Sequence, residues 1–183
     1  IKLENFLNNY SKKTIYQKPI YLRLSKWDYA YIKENSNISQ KNISDLEILI
    51  NYTIEKYYPN IKSSKNKALD LLNVLIEKQT QLVIDWMRVG FIHGVMNTDN
   101  MSISGETIDY GPCAFMDAFD PTTVFSSIDH QGRYAFANQP HIAQWNLARL
   151  AETLLPLFAD TQEKSVEVAT AILVNFTEQY QSF

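Results

Sequence analysis

Apolar positions in this chain fall into stripes of helical spacing separated by polar, turn-rich stretches. Over 44–58, Leu46, Leu49, Ile50, Ile54 and Tyr57 recur at three- and four-residue steps, the spacing that lines one helix face. Ser44 and Glu47 form a capping-box pattern at its start, and Pro59 ends it. After a polar loop over 60–67 comes the clearest helix, Lys67 to Val89. Its face is Ala68, Leu71, Leu72, Leu75, Gln79, Leu82, Val83 and Trp86, and Gly90 is its stop. A helix over 142–158 carries Trp145, Leu147, Leu150, Leu154 and Leu155 as its apolar residues. A last one, capped by Asp160, carries Val166, Ala169, Leu173, Phe176 and Tyr180.

Between the helical stretches, Met101-Ser102-Ile103 and Thr107-Ile108 flank Gly105-Glu106 and predict a tight hairpin. The stretch 112–140, with Pro112, Pro121 and Pro140, reads as loop. In the first 44 residues, Leu3, Phe6, Leu7 and Tyr10 have helical spacing. Ile20, Leu22 and Leu24 alternate like a strand, and Trp27, Tyr29 and Tyr31 continue that alternation. The expected fold is mainly α with a small β-hairpin. It comprises an N-terminal segment of uncertain identity (1–44) and a core portion (45–183).

Composition narrows the function classes. With 183 residues, 45% hydrophobic and 13% aromatic, the chain is one ordinary domain or part of a larger one and can bury a substantial core. A net charge of −3 gives no basic patch for nucleic acid, so no nucleic-acid partner is expected. A single cysteine, Cys113, excludes an internal disulfide and fits a reducing compartment. No apolar run reaches the roughly 18 residues of a membrane span, and no signal-peptide pattern is visible at Ile1. The expected location is cytoplasmic, or mitochondrial for a eukaryotic source.

The densest chemistry lies in His93-Gly94-Val95-Met96-Asn97-Thr98-Asp99-Asn100, with Asp109-Tyr110-Gly111 following. The expected hairpin would place Asn100 at the start of one strand and Asp109 at the end of the other. Antiparallel pairing brings such ends within several ångströms, about the span of one bridging metal. An amide oxygen and a carboxylate suit Mg²⁺ (or Mn²⁺), a hard cation that binds one or two side chains plus phosphate oxygens and water. Asn100 and Asp109 are therefore the candidate metal ligands, with Asp109 also the nucleotide-site residue. Asp99, beside Asn100, is the candidate general base. The plainer readings are an Asp-x-Gly turn for Asp109, a self-bonding strand-end Asn100 and a loop-shaping Asp99. His93 reads better as a structural brace than as a base. His130 and His141 show no zinc spacing, Asp117 and Asp120 read as loop-stabilising, and Cys113 as a small loop residue.

The run GVMNTDNMSISGETIDYGP, with FMDAFDP at 115–121 and HQGRYAFANQP at 130–140, closely resembles the selenoprotein O (SelO, YdiU) family over roughly residues 45–158. The resemblance implies a protein-kinase-like fold, of which this chain would carry mainly the C-terminal-lobe-like part. It also implies transfer of AMP from ATP to Ser, Thr or Tyr hydroxyls of proteins, with ATP bound in a flipped orientation. Kinases of this fold often place the metal-binding Asn five residues after a catalytic Asp. In that frame Asn100 points back to Val95, which cannot accept a proton. The resemblance therefore implies Asp99 as base and Asn100 and Asp109 as metal ligands.

Two alternatives stand beside this reading. One is an ATP-dependent phosphotransferase, against which Val95 counts. The other is an inactive fragment or pseudoenzyme acting as a binding module. All five glycines lie between Gly90 and Gly132, so no Gly-rich phosphate grip precedes the site. The 183-residue chain alone is expected to bind Mg-ATP poorly.

Overall fold

The computed structural model describes residues 40–182. The readings made for 1–39 lie outside them. Four helices dominate: α1 (Gln40–Tyr57), α2 (Lys67–Val89), α3 (Gln139–Leu154) and α4 (Gln162–Gln181). The central one is α2, packed on α3 and α4, with α1 against its flank. No helix among the described residues is long and apolar enough to cross a membrane.

The sequence pattern marked α2 to the residue. Asn66 caps it, its side chain accepting the Leu69 N–H at 3.1 Å, and Gly90 ends it in the left-handed region at φ +69°. Burial is wider than the one expected stripe. Ile76, Thr80 and Ile84 are buried as well, because α2 is covered on several sides, while Leu82 is only half-buried.

At α1 the expectation needs correction. The helix begins at Gln40, so Ser44 sits inside it and the capping box with Glu47 does not form. Nothing in Gln40-Lys41-Asn42-Ile43 breaks a helix, and the pattern started one turn too late. Tyr57 is exposed, and the buried face is Ile50, Thr53 and Ile54, with Tyr58 buried just past the helix end. In α4 the cap is Thr161, whose hydroxyl accepts the Lys164 N–H, not Asp160. Its face is as expected, with Val166, Ala169, Leu173 and Phe176 buried and Tyr180 half-buried. Trp145 of α3 is not a core residue. It lies 37% exposed between the guanidinium groups of Arg133 and Arg149, at 4.8 and 5.1 Å.

The small sheet is not where the sequence put it. β1 (Phe91–Ile92) pairs antiparallel with β2 (Ala114–Phe115), inside the stretch expected to be loop. The expected hairpin at 101–108 shrinks to one antiparallel bridge, Met101 to Thr107. The reason is competition for backbone groups. The Ser102 carbonyl accepts from the Gln79 side chain and the Ile103 carbonyl from the Tyr58 hydroxyl, so neither is free to extend a ladder.

Leu173 is fully buried in the shared core and its neighbour Val174 is exposed. Leu173→Ala is expected to cost about 2–5 kcal/mol and Val174→Ala no more than about 0.5 kcal/mol in urea unfolding. Equal effects would mean that α4 does not pack as described.

Candidate functional site

The site is an irregular loop threaded between helices. Leaving α2 at Gly90, the chain forms β1 and turns at Gly94 with φ +85°. A Cβ on Gly94 would stand 2.3 Å from the Pro112 carbonyl oxygen, so only glycine lets the two segments pass. His93, Met96, Met101 and Ile103 are buried along the way.

A buried loop cannot leave its backbone groups to water, and here side chains take them. Gln139 accepts the His93 N–H at 2.9 Å and donates to the Phe91 carbonyl at 2.9 Å. Asn146 donates to the Met96 carbonyl at 3.0 Å, and Gln79 to that of Ser102 at 2.7 Å. The Trp86 indole N–H donates to the Thr107 hydroxyl at 2.8 Å. The Tyr58 phenol donates to the Ile103 carbonyl, and burial, with Glu106 and Tyr57 adding to it, pushes it up to about 12, so it stays protonated.

His93 belongs to this bracing set. Its ring Nε2 lies 2.9 Å from the Ile108 carbonyl, which can only accept, so Nε2 carries the proton. Burial pushes the imidazole below its ordinary 6.5, outweighing the Ile108 bond and the Asp109 charge, which pull the other way. A neutral ring committed to a carbonyl is a brace for the backbone just before Asp109.

Asp99 and Asn100 sit in a 3₁₀ turn, Thr98–Asn100, immediately before the Met101–Thr107 bridge. Asp109 follows the other arm by two residues, so the bridge brings the backbone around Asn100 and Asp109 to the same end of the loop. Asp99 and Asp109 are exposed and Asn100 is half-buried. The Asn100 Nδ2 donates to the Val95 carbonyl at 2.9 Å, which orients the amide and leaves Oδ1 with no hydrogen bond among the described residues. Val95 itself is half-buried against the core. Asp109 has φ +57°, a left-handed conformation rare outside glycine and tolerated by Asp. An oriented amide oxygen and a carboxylate fit a hard divalent cation by donor chemistry. Among the described residues no group of three or more His, Cys, Asp or Glu could hold a metal, and His130 and His141 are exposed.

The family model described as "Protein adenylyltransferase SelO" matches residues 19–183. The chain belongs to the SelO family. Similar curated relatives carry the name protein nucleotidyltransferase YdiU. That of Pelagibacter ubique is 68% identical over 88% of this chain and 32% of the relative. Those of Rhizobium rhizogenes and Alcanivorax borkumensis are 60% and 59% identical over 75% and 74% of this chain, and 28% of each relative. The chain thus spans about a third or less of the length of the curated relatives it matches. The match begins at residue 19, ahead of the 45–158 stretch that carries the motifs.

Within this SelO chain several holding residues escaped the sequence reading. Gln139, Asn146 and Tyr58 were not singled out, and Gln79 was counted only as part of a helical face. The signal was present, since a Gln or Asn in an apolar stripe is buried only when it has a partner. Asp120 does stabilise its loop: it accepts from the Thr122 N–H and hydroxyl, which hold its carboxyl below the usual range. Asp129 does the same for Arg133 and Tyr134, accepting both N–H groups at 2.9 and 2.7 Å.

Acid should weaken this fold through His93. The unfolded residue titrates near its ordinary 6.5 and the folded one lower, so between those values the unfolded chain binds more protons. The contribution of neutral His93 is complete above about pH 6.5 and is lost as pH falls below it. His93→Gln keeps an N–H donor and does not titrate. It should flatten the slope of urea-unfolding stability just below about pH 6.5; an unchanged slope would show that His93 is not the titrating group.

Proposed function

We propose that this chain carries the metal and base residues of a protein adenylyltransferase that moves AMP from ATP to Ser, Thr or Tyr hydroxyls of protein substrates, within the C-terminal-lobe-like part of a kinase-like fold. The observation that carries the reading is the Asn100 amide, tethered by the Val95 carbonyl, at the same end of the loop as Asp109. Membership of the SelO family supports it.

Asn100 Oδ1 and the Asp109 carboxylate would hold Mg²⁺ or Mn²⁺, which when bound neutralises charge on the pyrophosphate leaving group. Asp99, exposed and next to Asn100 in the 3₁₀ turn, takes the proton from the acceptor hydroxyl. The freed oxygen attacks the α-phosphorus of ATP, an ester bond to AMP forms, and the bond to pyrophosphate breaks. Val95 argues against γ-phosphoryl transfer. The residue five before the metal Asn is an aliphatic side chain packed on the core, and only its backbone carbonyl is used, to orient Asn100.

In the full-length protein, Asp109→Ala should reduce AMP transfer to background, because a charged metal ligand is lost. Mass spectrometry of the acceptor for an AMP adduct would read it, and a phosphate adduct instead would overturn the reaction class. Asp99→Ala should slow transfer by about 10²–10⁴-fold with Mg-ATP affinity nearly unchanged. An equal loss of affinity by calorimetry would make Asp99 a nucleotide or metal residue.

A further inference from the structure

We propose that Gln139 is a positioning residue for the metal-binding arm of the site, acting through His93 on Asp109. The assignment rests on the adenylyltransferase reading of Asn100 and Asp109. β1 has two hydrogen-bonding edges. One faces β2, where the Met116 N–H donates to the Gly90 carbonyl at 2.9 Å and Ile92 pairs with Ala114. The groups of the alternate residues, the Phe91 carbonyl and the His93 N–H, face the other way. No strand lies on that side among the described residues.

Gln139 fills the gap. Its amide accepts from one group and donates to the other, both at 2.9 Å, and it is 0% exposed. A carboxamide has the same donor and acceptor as a peptide unit, so one side chain stands in for a strand. That fixes the backbone of His93, whose ring holds the Ile108 carbonyl and so the residue before Asp109. Gln139 itself is anchored. The turn Phe136–Asn138 that leads into it is tied to 121–132 by the Phe136 and Ala137 N–H groups, which donate to Thr123 and Pro121, and by the Asn138 amide, which donates to Gly132. Gln139 touches no reacting atom. Loss of a group bonded to a metal ligand typically costs about 10–100-fold in metal affinity, and Gln139, one step further out, is expected to lie at or below the low end of that range.

The test is Gln139→Met in the full-length protein, close in volume but unable to make either bond. Amide hydrogen exchange of the free protein should quicken in 91–95 and 107–111 and stay unchanged in 67–86. The Mg²⁺ concentration for half-maximal AMP transfer should rise, by up to about 10-fold. Unchanged exchange at 107–111, or faster exchange throughout α2 as well, overturns the assignment, since a purely structural role would loosen the core as a whole. If Gln139→Met does not fold, Gln139→Glu retains the acceptor for His93 and loses the donor to Phe91. It should show the same localised exchange to a smaller degree, and a wild-type exchange pattern overturns the assignment. A wild-type protein that transfers no AMP defeats the reaction proposed above, while the exchange pattern still decides the part played by Gln139.

Discussion

The fold depends on one constraint: an irregular stretch of backbone runs through a helical interior, and each buried peptide group on it needs a partner. Among the described residues no continuous sheet covers it, and the partners are side chains. α2 supplies Gln79, α3 supplies Gln139 and Asn146, and Tyr58 follows α1, while Trp86 of α2 ties down the Thr107 side chain. Removing one such partner leaves a buried carbonyl or N–H unsatisfied, at a cost of about 1–3 kcal/mol, which is a large share of a small domain's stability. The helices therefore do two things at once. Their apolar faces make the core, and single polar residues set into those faces fix the path of the loop.

This arrangement separates the holding groups from the residues proposed for chemistry. The groups that hold the loop are buried and point at backbone. Asp99 and Asp109 stand in solvent at its rim. Asn100 lies between the two regimes, one end of its amide committed inward to Val95 and the other turned away from it. Backbone strain falls on one of the candidate residues. Asp109 sits at φ +57°, a non-glycine conformation of the kind that costs on the order of 1–3 kcal/mol and persists only when its surroundings over-determine it. The His93 ring on Ile108 is part of those surroundings.

How much could be read in advance follows from the range of the forces involved. α2 was legible because its apolar spacing and its Gly90 stop are local signals, and its cap Asn66, found only in the structure, is local too. The start of α1 was not, because the Ser44–Glu47 pattern is as good a cap as many real ones, while Gln40-Lys41-Asn42-Ile43 holds no residue that stops the helix running back to Gln40. β1 and β2 are two residues each, too short for alternation to register. The hairpin at 101–108 was half right, since the bridge exists but Gln79 and Tyr58 claim the carbonyls a longer ladder would use. For the site, Asp99, Asn100 and Asp109 were visible as residue types at a spacing. The brace of Gln139 on Phe91 and His93 reaches across 46 residues of sequence and leaves only an unexplained polar residue beside Pro140.

The place of Trp86 has a spectroscopic consequence. Its ring centre lies 5.5 Å from that of His93 and 5.4 Å from that of Phe91, and its N–H is bound to Thr107, two residues before Asp109. The indole is thus a buried fluorophore wired to the loop at both ends. An imidazolium quenches a neighbouring tryptophan far better than a neutral imidazole does. Trp145 is 37% exposed, with the guanidinium groups of Arg133 and Arg149 at 4.8 and 5.1 Å, so emission at longer wavelength is expected of it. With Trp27 and Trp145 replaced, the emission of Trp86 would report, without any label, on the state of the loop that carries the candidate site.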